Sequence, residues 1–239
     1  MATHDGKAEL KSLIVVVLVL CLGSARAQSE ERWRSPCGVS LGSVLGLPGG
    51  GPPTATPEVL VAGMLPALET AKTAAESLKD KYISERFPRR EVISHLNTLQ
   101  CDGMPKVTIT SQEIQSSFTN LNLTHLSNYE KLSQVLVFLE EVKFDETYID
   151  RSVATYADDI QEIERSILNV LCTKQRLIRN SGNHINYVSP NVMTQDVRDT
   201  LNERVRHERD YLIVKDTYRL LQSMHLHVTA IDSYLSKNQ

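Results

Sequence analysis

Long hydrophobic runs are almost missing from this 239-residue chain. The one run present, Leu13 to Leu22, is about ten residues, half of the roughly 20 that a helix needs to span a bilayer, so no membrane-spanning segment is expected. Aromatic residues are few at 5%, with a single tryptophan, Trp33. Four cysteines are too few for a fold built on dense disulfides, and a chain of this length can bury a core without them. Neither sign of charge dominates: the net charge of −3 lacks the basic excess of a general nucleic-acid binder.

What is present begins with a leader. Lys7 and Lys11 precede the apolar run, and Ala25-Arg26-Ala27 has the small-x-small pattern that signal peptidase cuts, so residues 1–27 are read as a secretory signal peptide. The mature chain then starts near Gln28 as a soluble extracellular product. Its loss removes Lys7, Lys11, Arg26, Asp5 and Glu9, leaving 23 basic and 27 acidic residues, a net charge of −4. The remaining 212 residues fit one domain, and three cysteines remain, an odd number.

Residues 28–55 carry Trp33, Cys37 and the tract Gly46-Leu47-Pro48-Gly49-Gly50-Gly51-Pro52-Pro53, which favours neither helix nor strand; they are expected to be a flexible N-terminal segment. Residues 56–239 read as an all-α domain. Thr56 as N-cap and Pro57 at N1 open a first helix, with Gly63 and Pro66 interrupting its first turns and Pro88 stopping it. Met64, Leu68, Ala71, Ala75, Leu78 and Tyr82 form its apolar stripe, with Glu69, Thr73, Glu76 and Asp80 opposite. Residues 87–126 read as a long connection with room for a short helix or strand. A capping box, Ser127 with Glu130, predicts a second helix with the stripe Leu132, Val135, Leu136, Leu139 and Val142, ending near Lys143. After about six residues a third helix carries Val153, Tyr156, Ile160, Ile163, Ile167, Val170 and Lys174 inward, and Asp158, Gln161, Arg165, Asn169, Cys172 and Arg176 outward. A second extended connection, Asn180 to Pro190, leads to a fourth helix beginning at about Gln195 or Arg204 and striped by Leu221, Met224, Val228, Ile231 and Leu235.

Loop length selects the topology. A six-residue link joins only neighbouring helix ends, so helices two and three are expected to be antiparallel. A connection of about 40 residues, at roughly 3.3 Å per residue, easily returns along a first helix of roughly 33 Å. The expected fold is a long-chain four-helix bundle, up-up-down-down with two long crossover loops, an arrangement associated with secreted growth-hormone and cytokine ligands.

No catalytic constellation emerges. Gly38-Val39-Ser40-Leu41-Gly42 matches the nucleophile elbow but lacks the strand-turn-helix that strains the serine, and reads as a chance match. His207-Glu208 begins a zinc motif whose second histidine position holds Tyr211, and His225 and His227 are about 200° apart on a helix, so no metal site is expected. Nor is any cofactor site: the glycine tract lacks the ending of a P-loop. Asn122-Leu123-Thr124 is a glycosylation sequon in an expected loop. Cys172 faces outward on the third helix, Cys37 sits on an arm able to reach it, and Cys101 lies in the first long connection; spacing leaves all three pairings open.

Asn169-Val170-Leu171-Cys172, Asp102-Gly103-Met104-Pro105 and Tyr218-Arg219-Leu220-Leu221-Gln222-Ser223-Met224 resemble, on the corresponding elements and in order, segments of the leukaemia inhibitory factor, oncostatin M and ciliary neurotrophic factor branch of the interleukin-6 cytokines. The resemblance spreads thinly over residues 64–236. It implies a non-enzymatic ligand that clusters transmembrane receptor chains, including a shared signal-transducing receptor bound through Glu69, Thr73, Glu76, Asp80, Asp158, Gln161 and Arg165. It also implies a disulfide between Cys37 and Cys172. Two departures stand out. The family's Phe-x-x-Lys receptor motif aligns with Arg204-Val205-Arg206-His207, without the aromatic anchor, which makes Tyr211 and Lys215 the candidate substitutes; and a second family cysteine aligns with Tyr211, leaving Cys101 without its usual partner.

A rival reading comes from Val228-Thr229-Ala230-Ile231-Asp232-Ser233-Tyr234-Leu235, which resembles the end of the alpha subunit of an interleukin-12-like heterodimer; Cys101 would then be an interchain bond. A secreted amphipathic lipid carrier is the third, although the helix faces carry mixed charge without a basic-aromatic membrane signature.

Overall fold

The structure, a computed structural model, describes residues 32–38, 55–87, 89–106, 111–150 and 154–237. The signal peptide, Ser40, the glycine–proline tract and Val153 lie outside the described residues. Those described are all-helical, without strands, and belong from Trp33 onward to one unit. Seven α-helices appear among them: α1 Pro57–Arg86, α2 Arg90–Leu96, α3 Ser111–Thr119, α4 Leu121–Phe144, α5 Ala154–Asn180, α6 Gln195–Arg198 and α7 Glu203–Lys237. None is long and apolar enough to cross a membrane.

In α1 the expected stripe is the buried face, extended towards the N-terminus by Leu60 and Val61. Pro66 is accommodated on the exposed side, where the carbonyl it contributes accepts from Thr70 Oγ1 at 2.9 Å. The first connection holds two short helices, α2 and α3. The second long helix starts six residues before the expected capping box: Asn120, as good an N-cap as serine, accepts the Leu123 amide at 3.1 Å, and half-buried Leu121 and Leu126 pack the added turns onto the core. Ser127 is therefore inside α4. Apolar residues of α4 are buried on more than one side, with Val137 and Phe138 joining the expected stripe.

The six-residue link contains no free loop at its start. Asp145–Asp150 continues α4 as a π-helix, whose wider turn directs Asp145 and Glu146 inward. The fourth long helix begins at Glu203, after α6, with the Asn202 side chain accepting the Val205 amide at 3.2 Å.

Four helices of 24 to 35 residues make most of the packing. Along α1, Glu69, Glu76 and Phe87 meet His225 at 3.3 Å, Tyr218 at 3.0 Å and the Tyr211 ring at 5.5 Å. On its other flank Lys81 pairs with Asp159 at 2.8 Å, and Tyr82 stacks on Tyr156 with centroids 4.8 Å apart. Lys143 of α4 reaches Glu164 of α5 at 2.9 Å.

The lead-in is anchored where it is described. Trp33 is fully buried, Nε1 donating to the Val188 carbonyl at 3.1 Å, so this segment lies against the connection between α5 and α6. The two long connections also meet: Gly103 has φ +82°, and a Cβ there would come within 2.8 Å of the Val192 carbonyl oxygen and 3.1 Å of the Phe138 ring.

Candidate functional site

The end of the helical body where α1 finishes and α7 begins concentrates charge below the surface. Arg86, at the last residue of α1, donates to Glu146 Oε2 at 2.7 Å and to Asp150 Oδ2 at 3.2 Å; the Tyr82 hydroxyl donates to Glu146 Oε1 at 2.6 Å. From α7, Arg206 binds Asp150 Oδ1, His207 Nε2 lies 3.1 Å from Asp150 Oδ2, and Arg209 binds both Asp145 and Asp210. Arg209 also donates to the Val197 and Arg198 carbonyls, each at 3.1 Å, which ties α6 to the same network.

Burial raises Asp145 and Glu146 above the usual carboxylate range, against Arg209 in the first case and Tyr82 and Arg86 in the second. At Asp150 burial acts the same way, but Arg206, His207 and Arg86 outweigh it and hold the carboxyl below its ordinary value. Asp210, fully buried, is pushed up to about 8 by burial and by Asp145 and Glu146, despite Arg209. Burial and then Arg86 lower His207, against Asp150. Three carboxyl groups, Asp145, Glu146 and Asp150, thus bond three guanidiniums, Arg86, Arg206 and Arg209. A buried network in balance fixes geometry more than it adds stability.

This network carries an apolar surface. Tyr148 and Ile149, about half exposed at 48% and 50%, project from the π-helical segment; Leu201, 94% exposed, and Val205, 49%, flank the start of α7. The bonds from Asp150 to Arg206 and His207 bring the two pairs to the same end. Beside them a cleft of about 430 Å³ is lined by Phe87 and Val92 with Arg86, Arg89, Arg204, His207, Glu203 and Glu208. Rigid backing, exposed apolar side chains and a mixed-charge cleft make a surface able to dock another protein; they place no nucleophile beside a base.

The residues expected to contact receptors are distributed otherwise. Glu69, Thr73 and Asp80 are exposed and Glu76 half-buried on α1, but Glu69 and Glu76 turn towards α7 through His225 and Tyr218. Asp158, Gln161 and Arg165 are exposed on α5, where Arg165 pairs with Glu162. Tyr211 and Lys215 correct the sequence reading: both are buried, at 0% and 2%. The Tyr211 hydroxyl donates to Asn97 at 2.9 Å, and the Lys215 ammonium binds the Leu96 and Leu99 carbonyls, so they hold the end of α2 and present nothing outward.

Cys37 and Cys172 are joined as a disulfide, their Cα atoms 4.8 Å apart. Cys101 is buried and its thiol pushed up to about 12, by burial first and then by Asp216, whose carboxylate accepts the Cys101 amide at 3.0 Å. Asn122 is exposed in the first turn of α4 instead of a loop. Among the described residues no three His, Cys, Asp or Glu side chains converge as metal ligands; His225 turns to Glu69 and His227 to Ser117.

Periodicity missed the buried charges because it counts apolar residues. Their signal was the continuation of the α7 stripe: from Ile231, Val228, Met224 and Leu221, the same 3–4 spacing runs back through Thr217, Val214, Asp210 and Arg206. A polar residue on a core stripe announces a buried partner.

No family model, no curated protein and no solved structure matches the chain.

Proposed function

We propose that this protein is a secreted, non-enzymatic helical cytokine that binds and clusters cell-surface receptor chains, with the long-chain up-up-down-down bundle as its fold. The observation that carries the reading is the order of the helix pairings. Contacts descend α7 as they ascend α1, from Glu69–His225 to Phe87–Tyr211. The end of α1 meets the start of α5 at Tyr82–Tyr156, and the end of α4 meets the early part of α5 at Lys143–Glu164. Helices α1 and α4 then run one way and α5 and α7 the other, as the long, short, long connections require.

Secretion is supported by the leader and by the disulfide, a bond of oxidising compartments. Asn122, exposed, is the glycan acceptor. The shared signalling receptor is assigned to the exposed parts of α1 and α5, with Glu69, Thr73, Glu76 and Asp80 on one and Asp158, Gln161 and Arg165 on the other. A second receptor chain is assigned to the bundle end bearing Tyr148, Ile149, Leu201 and Val205, which supplies the apolar anchor that the Arg204-Val205-Arg206-His207 segment lacks in aromatic form. Burial of the Cys101 thiol weighs against the covalent link of the heterodimer reading.

The test is capture of cytokine-receptor ectodomains by the secreted protein, followed by charge reversal at Glu76 and Arg165 and, separately, Leu201→Asp with Val205→Asp. The reading expects each pair to weaken capture of a different receptor chain by about tenfold or more. Capture of no ectodomain sinks the cytokine reading; equal capture by all variants removes the assigned surfaces.

A further inference from the structure

At the opposite end, where α4 begins, two bases are buried without partners. His125 is 5% exposed and its Nδ1 has no hydrogen-bond partner; Lys174, at a core position of α5, is 0% exposed and its Nζ has none. We propose that His125, set against Lys174 and His227, is an acid-sensitive latch: protonation of its imidazole opens the first turns of α4 and releases the bond from Tyr129 to the Trp33 carbonyl.

The titratable groups acting on His125 are two further bases. Lys174 comes from α5 and His227 from α7, and His227 meets the hydroxyl of Ser117 on α3 at 2.7 Å. Burial first, then Lys174 and His227, lower His125 to about 3, and burial alone lowers Lys174 to about 7. The positive end of the α4 dipole further disfavours a charged imidazole in its second turn. His125 is therefore a neutral guest, accepted in the core only while uncharged.

The linkage has one sign. The folded His125 binds its proton less readily than the unfolded one, so stability present above the ordinary histidine value near 6.5 is lost as pH falls from there towards 3. One such group raises an opening equilibrium about 30-fold between pH 7.4 and 5.0. The local consequence follows from the next turn of α4: Tyr129 is four residues on, and its hydroxyl donates to the Trp33 carbonyl. Opening the turns that carry His125 releases that bond. The latch acts between about pH 6 and 5, and its chemistry does not depend on the proposed function.

Hydrogen exchange of the amides from Leu126 to Leu132, corrected for intrinsic exchange, tests it at pH 7.4 and 5.0. The proposal expects at least a tenfold rise in opening at pH 5.0 for the wild type, retained in Lys174→Met and lost in His125→Gln. No rise in the wild type, or the same rise in His125→Gln, overturns it. NMR titration of the His125 ring in the folded wild type gives an answer that needs no variant to fold: an ordinary value near 6.5 overturns the proposal, and resistance to protonation down to the opening transition supports it.

Discussion

The Tyr129 hydroxyl donates to the carbonyl of Trp33 at 2.6 Å, and the two residues, 96 positions apart, bind the N-terminal segment to α4. With the indole N–H bonded to Val188, Trp33 is held from both sides by backbone and side chain. A residue preceding all the described helices is thus part of the core.

Truncating Trp33→Ala is expected to cost about 3–5 kcal/mol in denaturant unfolding, as removal of a large buried aromatic does. Since it is the sole tryptophan, the wild-type emission is expected to be blue-shifted in the fold and to move red in step with loss of helical circular dichroism. An emission maximum already red in the native protein contradicts its burial.

The Cys37–Cys172 bond closes a loop of 135 residues. By the chain-entropy account a loop that long contributes about 5 kcal/mol through the unfolded state. Paired Cys37→Ser and Cys172→Ser substitutions are expected to lower the thermal midpoint by at least several degrees while keeping the helix content, read by circular dichroism.

Cys101 is expected to resist alkylation in the native protein and to react once denatured, because its thiol is both buried and held protonated. Mass spectrometry after iodoacetamide labelling measures this. A secreted product that runs as a covalent dimer and separates on reduction contradicts it and revives the heterodimer.

Arg209→Met leaves Asp145 and Asp210 buried without their cation and is expected to destabilise by about 3–5 kcal/mol. Asp210→Asn behaves differently. Its folded carboxyl keeps a proton that the unfolded one releases near pH 4, so this group's contribution to stability falls as pH rises from about 4 to about 8. The variant is expected to gain on the wild type across that range, and denaturation at pH 5, 6.5 and 8 gives the slope; a stability difference independent of pH refutes the shift.

Helix existence was legible because α1, α4, α5 and α7 each carry a long, largely apolar stripe at 3–4 spacing. Starts were less so. Asn120 and Ser127 both satisfy the chemistry of an N-cap, and only the packing of Leu121 and Leu126 chooses the first. Tyr211 and Lys215 show the matching limit for surfaces: an aromatic and a base beside a receptor-like segment resemble anchors, yet α2 folds over both. Local spacing has no term for an element that arrives from 114 to 119 residues away. The disulfide fell between these cases, since spacing left three pairings and only family resemblance favoured the one that forms.

Gly103 makes the two long connections a single mechanical part. Because the backbone of one sits where the other's side chain would have to grow, neither loop tolerates independent remodelling, and a chimaera that imports one of them from another helical protein must import its mate as well.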